Sequence, residues 1–207
     1  MYSIIMNTQK LLKQKMPFMR NVFMNLIFQS VVVYLSAKAS LENASLSDFI
    51  STYPYAIPLL LFASTIAFIY SKTLKLNIQM KFALLTFMSS LLGASLSPSA
   101  NIQEALQEVI AIFVAMFFLG VASVYMGFDL RPLGLLLVFG LFGLIIARIA
   151  TNGKNSYSNI ATLLFALFIV FDTNNILQKD YGGNFTDATF DYILDIFNLL
   201  QTQMNDD

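Results

Sequence analysis

The sequence predicts an all-α membrane protein, a polytopic bundle of seven transmembrane helices. Three observations carry this expectation. Of 207 residues, 57% are hydrophobic and only 12% are charged, against roughly 25% charged in soluble domains. Mean hydropathy is +0.68. The apolar residues do not alternate between faces but gather in blocks, separated by charged or Gly-, Pro- and Asn-containing breaks. Lipid is therefore expected to be the main solvent of this chain.

The blocks run Val22–Ala39, Tyr55–Ser71, Phe82–Pro98, Leu106–Gly127, Pro132–Ala150, Tyr157–Leu177 and Ala188–Met204. Several approach the ~20 residues that cross the hydrocarbon core, and the shorter ones reach the low end of the usable range. The seventh is the weakest by hydropathy, because it carries Asp191 and Asp195. Connections are short and leave no room for a soluble domain. Residues 1–207 read as a single membrane domain, with 1–20 as a cytosolic N-terminal segment and 22–204 holding the seven helices. No small-residue cleavage site follows the apolar stretch that begins at Val22, so no cleavable signal peptide is expected.

Orientation follows from Lys and Arg, which favour the cytosolic side. With the N-terminus inside, that side holds Lys10, Lys13, Lys15, Arg20, Lys72, Lys75, Lys81, Arg131 and Lys179, nine of the 12 basic residues. The opposite side holds Lys38, Arg148 and Lys154. Seven crossings would place the tail Asn205-Asp206-Asp207 outside; a re-entrant seventh segment would return it to the cytosol.

Composition narrows the chemistry. There are no cysteines, so a disulfide, a thiolate nucleophile and a Cys-based zinc site are excluded. There are no histidines, which removes the usual physiological pH switch and the commonest metal ligand. Proton or cation chemistry must rest on carboxylates. The formal net charge is zero and no basic run is long enough to hold nucleic acid. Gly120, Gly134, Gly140 and Gly143 lie in the fourth and fifth segments, where small residues let transmembrane helices approach closely. The 20 phenylalanines read as lipid-facing or core bulk. Two short sequons, Asn43-Ala44-Ser45 and Asn184-Phe185-Thr186, are weak signals; the second falls on the cytosolic side.

Most acids are explained by solvation. Glu42, Asp48, Asp129, Asp180, Asp187, Asp206 and Asp207 fall in predicted loops or the tail, and Glu104 and Glu108 begin the fourth segment near the outer surface. Asp172, Asp191 and Asp195 remain. The sixth helix runs outside to inside and the seventh returns. Asp172 then lies about 7 Å, and Asp195 about 10 Å, from the inner ends of their helices at 1.5 Å per residue. Asp191 is one turn nearer the cytosol than Asp195, on the same face. A charge in hydrocarbon costs at least ~2.5–3.5 kcal/mol, so all three should face a bundle interior or a wetted cavity. Carboxylates sharing such a site titrate as a coupled unit. They would share a proton, accept a lysine or hold a hard cation such as calcium. The bland alternative is structural: a buried aspartate that caps a helix or pairs with one basic residue, or, for Asp172 with Thr173, Asn174 and Asn175, a polar helix ending.

These residues also carry a resemblance. The pattern "FIVFDTNNILQKDYG…FDYILDIFNLL" resembles the C-terminal signature of the transmembrane Bax inhibitor motif family. That signature has an apolar run ending in an aromatic-Asp-Thr-like step, a short cytosolic loop, and a segment of the form Leu-Tyr-Leu-Asp-Ile-Ile-Asn-Leu-Phe. Asp172 occupies its first acidic position, Asp195 the second and Asn198 the asparagine. "FALLTFMSSLLGASLSP" is similar to the family's third helix, and the step from Tyr125 to Leu130 also fits. The resemblance spans about residues 20 to 204, and its specific part is the last two segments.

The resemblance implies a seven-helix bundle with the C-terminal helix central. It implies a pH-sensitive calcium leak of internal or bacterial membranes, linked in animals and plants to suppression of cell death. Asp172 and Asp195 would be the pH-sensing pair at the cytosolic gate, with Asp191 and Asn198 in support. In some relatives an arginine of the second helix latches the first aspartate. Here Lys75 is the nearest positional candidate, with Lys72 and Lys81 as rivals, and lysine offers a point charge in place of a bidentate fork. The basic C-terminal tail of some relatives is absent.

Three readings follow. The first is a calcium leak channel gated by Asp172 and Asp195, with calcium as transported ion and no cofactor. The second is a membrane interaction protein that inhibits cell death by binding regulatory membrane proteins, without transport. The third, an intramembrane aspartyl protease, needs a Gly-x-Gly-Asp motif where this chain has Ile193-Leu194-Asp195, so no enzyme is expected. The membrane would be endoplasmic reticulum or Golgi for a eukaryotic or viral source, and the inner membrane for a bacterial one.

Overall fold

A computed structural model describes residues 2–96, 102–151 and 157–204. Among these residues the regular structure is all helical: α1 (Tyr2–Glu42), α2 (Ala44–Thr52), α3 (Ala56–Thr73), α4 (Ile78–Ser95), α5 (Ile102–Tyr125), α6 (Leu133–Ala150), α7 (Ser158–Gln178) and α8 (Phe185–Met204). Pro98, Lys154 and the tail Asn205 to Asp207 lie outside the described residues.

Among the described residues, six helices are long and apolar enough to cross a membrane: Lys10–Glu42 of α1, together with α3, α4, α5, α6 and α7. The protein is an integral, multi-pass membrane protein. α8 has 20 residues, enough for about 30 Å, but Asp187, Asp191 and Asp195 keep it out of that apolar set. The expected count of seven spanning helices is thus matched for six. The expected N-terminal segment and first span form one continuous helix of 41 residues, which accommodates Pro17. The predicted loop after the first span contains α2. It is started by Asn43, whose side chain accepts from the Leu46 N–H at 3.1 Å and so satisfies one of the free amides of the first turn.

The described chain divides into two compact units. One takes residues 2–18, 102–151, 157–181 and 194–204; the other takes 19–96 and 182–193. α1 and α8 contribute to both.

In the first unit, α5 and α7 meet closely. A Cβ on Gly120 would stand 2.5 Å from Thr173 Cβ and 2.9 Å from the Val170 carbonyl, so only glycine permits this approach. Gly134 abuts the Phe171 ring and Gly140 the Leu164 side chain, whereas Gly143 meets nothing within 4 Å. The packing expected of Gly143 is therefore not there; its face is open. α6 carries the lipid-facing bulk, with Leu135, Leu136, Phe139, Phe142, Ile146 and Ile149 all exposed and only Leu137 buried.

In the second unit, a Cβ on Gly93 would lie 2.2 Å from the Val33 carbonyl and 2.8 Å from Ser36 Cβ, so α4 lies against α1 at backbone distance. Phe68 of α3 stacks on Phe190 of α8 with ring centroids 4.3 Å apart. Gln29 of α1 bonds Thr86 of α4 at 3.2 Å.

Candidate functional site: the acids of α7 and α8

α8 is buried around most of its circumference. Ala188, Thr189, Phe190, Tyr192, Ile193, Asp195, Phe197, Leu199 and Leu200 are all buried, and at 100° per residue they span more than half the helix. Its remaining arc carries Asp187, Asp191, Leu194 and Asn198, each half-buried. A helix enclosed by protein can carry acids that hydrocarbon would reject.

Asp172 and Asp195 belong to the same compact unit. Asp195 is buried, at 6% exposure. Asp172 is half-buried and falls in the same helical arc as the buried Phe165, Ile169 and Ile176, so it sits on the packed side of α7 rather than the lipid side. The register between the helices comes from Gln203, whose Nε2 donates to Thr162 Oγ1 at 3.4 Å. The chain reverses between Gln178 and Phe185. Stepping back along α8 from Gln203 to Asp195 brings the opposing position on α7 to Val170. Asp172 lies two residues further on, about 3 Å along the axis. The two residue positions are thus nearly level along the helix axes.

Asp191, one turn before Asp195, is engaged in the second unit. Lys72 Nζ lies 3.5 Å from Asp191 Oδ1. The same ammonium sits 5.0 Å from the Phe190 ring and 5.8 Å from Phe68, the stacked pair, so aromatic faces and a carboxylate hold it together.

Asp187 was expected in a solvated loop. It lies instead in the first turn of α8, where it pairs with Lys81. Lys81 Nζ reaches both carboxylate oxygens at 3.0 and 3.1 Å and is only 4% exposed. Asn184 donates to Asp187 Oδ2 at 3.0 Å, so this asparagine serves the start of α8. Lys75, the expected latch, is exposed in the α3–α4 turn at φ 51°. The lysines of this hairpin that meet carboxylates are Lys72 and Lys81, and they meet Asp191 and Asp187. Asn198 is half-buried on α8; its carbonyl accepts from Thr202 Oγ1 at 2.7 Å.

Asn174 has a role its sequence position did not reveal. It is fully buried. Its amide donates to Ser123 Oγ at 2.8 Å and to the Phe128 carbonyl at 2.9 Å; its Oδ1 accepts from the Leu130 N–H and from Gln178 Nε2. One side chain thereby ties α7 to the end of α5 and the turn beyond it. In that turn Arg131 forks onto Asp129 at 2.6–3.0 Å, and these hydrogen bonds hold the Asp129 carboxyl down at about 2.

Among the described residues no three acids converge in a metal-holding group. A calcium ion at Asp172 and Asp195 would take its remaining oxygens from hydroxyls, carbonyls or water.

A family model described as "Inhibitor of apoptosis-promoting Bax1" matches residues 15–204. The chain belongs to the Bax inhibitor family. No curated protein matches it individually. The Bax inhibitor match runs from within α1 to the last residue of α8, so it includes every acid of α7 and α8 and both lysines that pair with those of α8.

Proposed function

We propose that this Bax inhibitor family protein is a calcium leak of an internal membrane, gated by protonation of Asp172 and Asp195, and that this leak restrains apoptotic cell death. The carrying observation is that Asp195 is buried and nearly level with Asp172 across the α7–α8 pair. Two carboxylates at one height in a low-dielectric interior repel each other when both are ionised, and they titrate as a pair. Gain of a proton or of a hard cation removes that repulsion, and the helices bearing them respond. In this reading α8 makes a seventh crossing inside a protein sheath, which explains how it tolerates three aspartates. The family description supports the link to cell death.

The test is calcium efflux from proteoliposomes holding the full chain, measured against pH. Wild-type flux should change with pH, and Asp172→Asn and Asp195→Asn should each flatten that response. Flux indifferent to both substitutions would sink the proposal. Cell protection that persists in the double variant would instead assign survival to partner binding.

A further inference from the structure

Asn25, Gln29 and Thr86 are joined by hydrogen bonds at the seam between α1 and α4, and Ser89, one turn on from Thr86, falls on the same side of α4 as Thr86 and Gly93, amid aliphatic groups such as Leu26, Leu85 and Leu92. Asn25, Gln29 and Ser89 are 4%, 0% and 0% exposed, and Thr86 is half-buried. Gln29 Nε2 donates to Asn25 Oδ1 at 3.1 Å and to Thr86 Oγ1 at 3.2 Å. Thr86 passes its own proton to the Phe82 carbonyl at 2.9 Å. Three atoms of this cluster have no hydrogen-bond partner among the described residues: Asn25 Nδ2, Gln29 Oε1 and Ser89 Oγ. Turning both amides over exchanges donor for acceptor at the unmatched positions and leaves as many unmatched.

Each such atom, left dry, forfeits its hydration without a replacement, and at membrane depth no bulk water relieves it. The unmatched set is mixed. Asn25 offers a donor, Gln29 an acceptor, and Ser89 both. A cation would want acceptors only and an anion donors only; a small neutral molecule that donates and accepts matches all three.

The spacing fits a short chain of such molecules. Gln29 meets Thr86, and Gly93 meets Val33 and Ser36, so α1 and α4 run parallel with a constant offset. Ser89 therefore stands about 4.5 Å further along the seam than Thr86. We propose that the α1–α4 seam binds internal water at Asn25, Gln29 and Ser89, forming a hydrated site within the apolar layer. The site lies wholly in the second compact unit, apart from Asp172 and Asp195, and does not depend on their role.

The test is water-to-protein polarisation transfer by solid-state NMR on the full chain in lipid bilayers. The side-chain amides of Asn25 and Gln29 should receive water polarisation as fast as the exposed Asn77, while Leu85 and Leu92 methyls stay dark. Ser89→Ala, small enough to leave the fold intact, should slow transfer to Gln29 and leave Asn77 unchanged. Asn25 and Gln29 amides as dark as Leu85 would overturn the proposal. Transfer unchanged by Ser89→Ala would overturn the part assigned to Ser89.

Discussion

Lys81 and Asp187 form an ion pair between α4 and α8, 3.0 Å apart, with side-chain exposures of 4% and 16%. A pair this buried differs from a surface bridge, because removing one partner strands the other charge out of water. Lys81→Met is expected to lower stability by about 3–5 kcal/mol, read as a drop in melting temperature in detergent. Adding Asp187→Asn should restore much of it. A loss below about 1 kcal/mol, the range of exposed pairs, would show that the two charges stay solvated.

Gly120 and Gly143 make a paired test of helix approach. At Gly120 a methyl group would drive into Thr173 Cβ and the Val170 carbonyl, and neither can swing aside. Gly120→Ala should cost about 1–3 kcal/mol, the usual penalty for overpacking. Gly143→Ala meets nothing within 4 Å and should stay within about 0.5 kcal/mol of wild type. Equal melting temperatures for the two variants would contradict the close α5–α7 contact.

This contrast also marks what the sequence could reveal. Helix existence was legible because crossing a membrane demands long apolar runs, and six of them stand out by composition. Glycine spacing could not distinguish Gly120 from Gly143, since that depends on which face meets a neighbour. Asp172 and Asp195 were legible as acids where hydrocarbon forbids them. Asp187 was not, because an acid beside Asn184 and Thr186 looks like any loop residue until Lys81, 106 positions earlier, is brought against it. Lys75 looked the best latch by position along the hairpin, but its φ of 51° places it on the turn, and Lys72, one helical turn earlier, is the residue aimed at α8.

Asp129 supplies a pH control for the flux experiment. Arg131 holds its carboxyl down at about 2, against an ordinary 3.8. The folded value is the lower one, so the pair's contribution to the turn is complete above about 3.8 and fades as pH falls toward about 2. Near neutrality Asp129 does not titrate. Asp129→Asn should leave the pH profile of calcium flux unshifted, and a carboxyl-carbon NMR titration should place Asp129 near 2. A midpoint at or above 3.8 would mean that the fork onto Arg131 does not form in solution.

Asn174 offers the sharpest test of how α7 is held at its C-terminal end. It is 0% exposed and uses both amide protons and its carbonyl oxygen on Ser123, Phe128, Leu130 and Gln178. Asn174→Leu keeps the heavy-atom count and branching but leaves the Leu130 N–H without its acceptor, a penalty of about 1–3 kcal/mol. Asn175, its half-buried neighbour, gives the comparison: Asn175→Ala should cost little, since its carbonyl still accepts from the Lys179 N–H at 2.8 Å. Hydrogen exchange distinguishes a local effect from a global one. In the wild type the Leu130 amide should be protected although it lies outside any helix, and in Asn174→Leu that protection should vanish while amides in the middle of α5 keep theirs. A Leu130 amide that exchanges freely in the wild type would show that Asn174 does not bind this turn, and its burial would then need another explanation.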